Sequence, residues 1–77
     1  MKPPISGKEL IKLLEKQGFI VLRQTGSHVF LEDQKNNIRT TIPVHNNQDI
    51  GPGLLLKILS DVRISKEEFI KLRTNKK

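Results

Sequence analysis

FIVLRQTGSHVFLEDQKNNIRTTIPV, residues 19–44, alternates runs rich in β-branched and aromatic residues with turn formers. FIVLRQ (19–24), HVFLED (28–33) and IRTTIPV (38–44) read as strands, and the short separators TGS and QKNN predict an antiparallel three-stranded meander. If the second hairpin closes with Asp33 opposite Ile38, then Glu32 faces Arg39, Leu31 faces Thr40, Phe30 faces Thr41 and Val29 faces Ile42. In that register opposite charges pair on one face, while Val29, Leu31, Ile38 and Ile42 gather on the other, where helices should pack. Side chains alternate with a period of two, so His28 shares the open face with Phe30, Glu32, Arg39 and Thr41. The same parity reaches His45 if the strand runs on that far. The first hairpin is open between two registers. Thr-Gly as a two-residue turn and Thr-Gly-Ser as a three-residue turn differ by one residue, so one choice sets Arg23 beside His28 and the other sets it on the opposite face.

Outward from this stretch, both flanks read as helix. Ser6 with Glu9 makes a capping box and Ile5 with Leu10 a hydrophobic staple, so a helix starts at about Gly7. Its apolar side carries Leu10, Ile11, Leu13 and Leu14, its other side Lys8, Lys12 and Lys16, and Gly18 supplies a left-handed stop. After the loop-like HNNQDIG, Pro52 suits the first position of a second helix with a buried stripe of Leu54, Leu55, Ile58, Leu59 and Val62, from which Lys57 points away. Ser65 with Glu68 and Ile64 with Phe69 repeat the box and staple, predicting a short third helix across ISKEEFIKLR. The order α-β-β-β-α-α makes an α+β sandwich of two layers, with the helices on one face of the antiparallel sheet.

The chain has 77 residues, enough for one domain over 1–77, with a core at about 5–70 and a basic tail, RTNKK, at 73–77. No cysteine is present, so neither a disulfide nor a thiolate metal site holds the fold. No apolar run approaches a membrane span and MKPPISGKEL lacks the apolar stretch of a signal peptide, which predicts a cytoplasmic protein with no membrane partner. Lys and Arg number 14 against 8 Asp and Glu, a formal charge of +6 with a pI near 10. That excess attracts polyanions, nucleic acid foremost, although it also describes an inert solvated surface. Equally, the lysine stripe of the first helix is either a solvated face or a track for a phosphate backbone.

Several chemistries are excluded by what the sequence lacks. There is no GxGxxG or Walker sequence and no HExxH, and two histidines without cysteine make a dedicated zinc site improbable. Ser27 beside His28 does not by itself make a hydrolase triad. Glu32 and Asp33 point to opposite faces of a strand, so the acidic cluster of a two-metal nuclease is missing. What remains is a metal-independent role for histidine. Imidazole exchanges a proton near neutral pH, and RNA brings its own nucleophile in the 2′-hydroxyl. Gly26 and Ser27 would let backbone and hydroxyl approach a phosphate, while Arg23, Arg39 or Lys57 supply charge. Against this, His28 and His45 also read as plain surface histidines, Gly-Ser as ordinary turn chemistry, and Phe30 as a base-stacking ring or a contact for a partner protein.

The succession KQGF, RQTGSHVFL, TIPVH, PGLLLKIL and SKEEFI resembles the HicA family of bacterial toxins, also called YcfA-like proteins, over about residues 5–70. The resemblance implies a fold like the double-stranded RNA-binding domain and a ribonuclease that cleaves mRNA and arrests translation. It further implies that the histidine of the GSH motif, His28, is the catalytic residue, that a HicB antitoxin covers the active site, and that no metal or organic cofactor takes part. His45 matches the PVH segment, where holding the phosphate or fixing the following loop fits it better than catalysis. Two further function classes compete: a non-catalytic RNA-binding module of the same fold, marked by a salt-sensitive complex without cleavage, and a basic domain that binds only an acidic protein partner.

Overall fold

Ser6 starts the first helix, α1 (Gly7–Lys16), by a reciprocal cap: its Oγ accepts from the Glu9 N–H at 3.2 Å and its own N–H donates to Glu9 Oε1 at 3.1 Å. Ile5 and Leu10, the staple pair, are both buried. The helix ends in a Schellman turn, with the Phe19 N–H donating to Leu14 O, the Gly18 N–H to Glu15 O, and Gly18 at φ +105°. The structure, a computed structural model, describes residues 5–45 and 48–74.

Three antiparallel strands follow in spatial order β1 (Ile20–Thr25), β2 (His28–Asp33) and β3 (Ile38–Pro43). The β2–β3 register is the one read from the sequence, pair for pair from Asp33 opposite Ile38 to Val29 opposite Ile42. Asp33 holds the connecting QKNN loop closed, its carboxylate accepting from the Lys35 and Asn36 N–H groups at 3.2 and 3.4 Å and from Asn36 Nδ2 at 2.8 Å. The first hairpin takes neither of the two expected turns. Thr25 pairs with His28, so the turn is Gly26–Ser27. Gly26 alone of the two has a positive φ, +59°, the pattern of a type II′ turn, which lets Thr25 stay in the ladder. This register sets Arg23 opposite Phe30, on the His28 face. A bulge between Val21 and Arg23 leaves Leu22 as the extra residue.

β3 does not run on to His45, nor as far as Val44. It ends at Pro43, after which the Val44 N–H turns to donate to Ser27 O at 2.7 Å. The chain then returns beside the start of α1 through an isolated Ser6–Asp49 bridge and a 2.8 Å bond from the Ile50 N–H to Ile5 O. A close approach here explains the residue at the head of α1, since a Cβ on Gly7 would collide with the Pro43 carbonyl.

Pro52 opens α2 (Pro52–Asp61) at its first turn, and α3 (Lys66–Thr74) begins with the expected Ser65–Glu68 box. Val29, Leu31, Ile38 and Ile42 meet Leu10 and Leu14 of α1, Ile58 and Leu59 of α2, Val62 after it, and Phe69 of α3 in one core. Leu54 does not join that core and stays 40% exposed, because a helix packed by one stripe leaves its flank open. Arg73 belongs to α3, as the helix read across ISKEEFIKLR has it, and Thr74, expected in the tail, joins it: the Arg73 guanidinium lies over the Phe69 ring and Thr74 Oγ1 donates back to Ile70 O and Lys71 O. The remainder of that segment, 75–77, lies outside the described residues. α1 and α2 both approach β3, and β1 is exposed along its whole length.

Candidate functional site

The outward sheet face and α2 share one cleft of about 740 Å³. His28 lines it from the first position of β2, directly after the Gly26–Ser27 turn, and is exposed. Neither ring nitrogen of His28 has a hydrogen-bond or ion-pair partner among the described residues, so both are open to a ligand. Strand alternation explains why His28, Phe30, Thr41 and Pro43 come together there: all four sit on the face of the sheet opposite to Val29, Leu31 and Ile42, whose side chains enter the core.

Three cations among the described residues line the same cleft. Arg23 comes from β1 with its guanidinium carbon 4.8 Å from the centroid of the Phe30 ring, a cation–π contact that holds the side chain over β2. Arg39 comes from β3, its Nε donating to Glu32 Oε2 at 2.9 Å. That bond leaves both terminal nitrogens of Arg39 for another acceptor. The pair is lopsided: the Arg39 side chain is 73% exposed and that of Glu32 only 11%, so the carboxylate anchors the cation from below. Lys57 comes from α2, where it meets Asp61 one turn on at 3.2 Å. Among the described residues Asp61 is the single carboxylate lining the cleft, against three cations, so the site is electropositive.

The sequence-expected residues therefore divide. Arg23, His28, Arg39 and Lys57 converge on one cleft, whereas Gly26, Ser27 and His45 are absent from its lining. Gly26 and Ser27 shape the turn that presents His28, and their carbonyls are already engaged by Gln24 Nε2 at 2.9 Å and by the Val44 N–H. His45 is exposed past the end of β3 and its carbonyl accepts from the Gln48 N–H at 2.8 Å. Leu22, Leu54 and Asp61 are cleft residues that sequence reasoning missed, whereas Thr41 lines the cleft from the face on which alternation places it. Asp61 alone left a sequence signal, standing four residues after Lys57. Leu22 had none, since its position follows from the bulge.

No described helix is long and apolar enough to cross a membrane, and no cluster of three or more His, Cys, Asp or Glu among the described residues is arranged to hold a metal ion. Comparison with curated proteins gives no match. A family model described as the HicA toxin of bacterial toxin-antitoxin systems matches residues 7–64, from the first residue of α1 to the turn after α2, and so spans every element that builds the cleft. On that match, over most of its length, the chain belongs to the HicA toxins, the toxin components of bacterial toxin–antitoxin systems.

Proposed function

We propose that the cleft is the active site of an endoribonuclease that cleaves mRNA, with His28 as its general base. The observation that carries this reading is the placement of an unpartnered imidazole among Arg23, Arg39 and Lys57. Cleavage of RNA needs a group that takes a proton from the 2′-hydroxyl and cations that stabilise charge on the phosphoryl oxygens. His28 removes the 2′-hydroxyl proton, the 2′-oxygen attacks phosphorus, and the bond from phosphorus to the 5′-oxygen breaks. The leaving oxygen takes its proton from water. The products are a 2′,3′-cyclic phosphate and a 5′-hydroxyl, and the cations act on the pentacoordinate phosphorane between them.

The partner that fits a toxin of this family is a HicB-type antitoxin, which silences the enzyme by covering the cleft. The decisive experiment incubates antitoxin-free protein with mRNA in EDTA, beside His28→Ala. The wild type is expected to cleave and the variant to lose at least 100-fold of the rate, in line with removal of a general base, which contributes roughly 10²–10⁴-fold. Full activity in His28→Ala, or a strict need for added metal, overturns the mechanism. A salt-sensitive RNA complex without any cleavage identifies a binding module instead.

A further inference from the structure

Of the chain's three phenylalanines, Phe19 and Phe69 are buried in the core and Phe30 is not part of it. Phe30 lies half-buried on the outward face, and the fold does not use it to hold the helices. Its ring carries the Arg23 guanidinium at 4.8 Å, and Arg23 has no carboxylate or carbonyl partner among the described residues. Around this pair the cleft offers two kinds of surface, the apolar Leu22 and Leu54 and the cationic Lys57. A flat apolar ring joined to an anionic phosphate is the ligand chemistry that such a mixture fits.

We propose that the Arg23–Phe30 pair is the seat of one nucleobase of single-stranded RNA, the base adjoining the phosphate presented to His28. This rests on the reading of the cleft as the RNA-cleaving site. His28 and Phe30 are two residues apart on one face of β2, about 6.5 Å along the strand, a separation that one nucleotide step bridges. The base stacks against the pair while the phosphate on its sugar reaches toward His28 and Arg39. Thr41, opposite Phe30 on β3, brings a hydroxyl to the edge of the seated base. A base inside a duplex keeps both faces in the helical stack and cannot reach the ring, so the seat selects unpaired RNA.

The test uses short 2′-fluoro RNAs, which lack the attacking hydroxyl and report binding without cleavage. One oligonucleotide is intact, and in the others each position in turn is abasic. Phe30→Leu is expected to weaken binding of the intact strand about 5- to 100-fold, the range of one base–aromatic stack. On the strand that is abasic at the seated position the same substitution should cost less than about twofold, and Phe30→Trp should retain wild-type binding. If Phe30→Leu does not fold, Arg23→Gln is read on the same set with the same criterion. An equal loss on every abasic strand, or duplex bound as tightly as single strand, overturns the seat while leaving the cleavage reading intact. Position-specific loss in a protein that fails to cleave native mRNA supports the seat and removes the nuclease.

Discussion

Thr40 sits on the inward side of β3, opposite Leu31, and its Oγ1 is buried with no hydrogen-bond partner among the described residues. A hydroxyl taken out of water without replacement is unfavourable by about 1–3 kcal/mol. Thr40→Val keeps the shape and removes the orphan, so it is expected to stabilise the domain by about 1 kcal/mol, which thermal melting reads as a rise of roughly 4–8 °C in a domain of this size. A fall in Tm would mean that the oxygen does have a partner. Arg39 poses the opposite problem at the same scale. Its removal leaves the nearly buried Glu32 carboxylate without its cation, so an Arg39→Ala variant loses fold stability together with any contact to phosphate. Residue types were readable in advance at both positions. The orphaned oxygen was not, because satisfaction of a hydroxyl depends on neighbours from other elements.

Both α1 and α2 end in the same Schellman geometry with different residues at the left-handed position. After α1 it is Gly18 at φ +105°, and after α2 it is Arg63 at φ +60°, with the Ile64 N–H donating to Leu59 O at 3.0 Å and the Arg63 N–H to Ser60 O at 3.2 Å. A side chain in that conformation is disfavoured by about 1 kcal/mol relative to glycine. Arg63→Gly is therefore expected to raise the denaturant midpoint and Gly18→Ala to lower it, each by about 1 kcal/mol in unfolding free energy with an unchanged m-value. The helix starts were legible because capping is local: Ser6, Glu9, Ser65 and Glu68 lie within one turn of what they bond. The second helix stop was not legible, since nothing in Val-Arg-Ile marks a left-handed residue. The packing of Ile64 against the core, together with the two backbone bonds of that turn, holds it there.

Across the whole molecule, charge and apolar surface are unevenly placed. Ile20, Val21 and Leu22 of β1 stand exposed at 44, 43 and 47%, because the helices approach the opposite edge of the sheet and the Leu22 bulge breaks the strand's regular alternation. The cations of the cleft are three of the chain's fourteen. If RNA phosphates are neutralised there alone, the slope of log affinity against log salt should be about −2 for a single strand, from roughly 0.7 per contact. Binding titrations between low and high salt read this slope, and Lys57→Gln should reduce its magnitude by about 0.7. A much steeper slope would show that Lys8, Lys12 and Lys16 on the far side of α1 also track the backbone.

The β2–β3 register, the order of elements and the outward placement of His28 follow from the sequence by itself. Side-chain alternation with a period of two and opposite charges at Glu32 and Arg39 admit one pairing, and a local rule suffices to read it. Tertiary structure alone decided what stands beside His28. Arg23 reached its face through a Gly26–Ser27 turn and a bulge at Leu22, each a one-residue choice that alternation cannot resolve. Lys57 and Leu54 reached the cleft because α2 packs against β3 by one stripe and leaves its flank toward the site. Local periodicity determines the face a residue occupies. Its neighbours there are set by long-range packing, which depends on the whole chain at once.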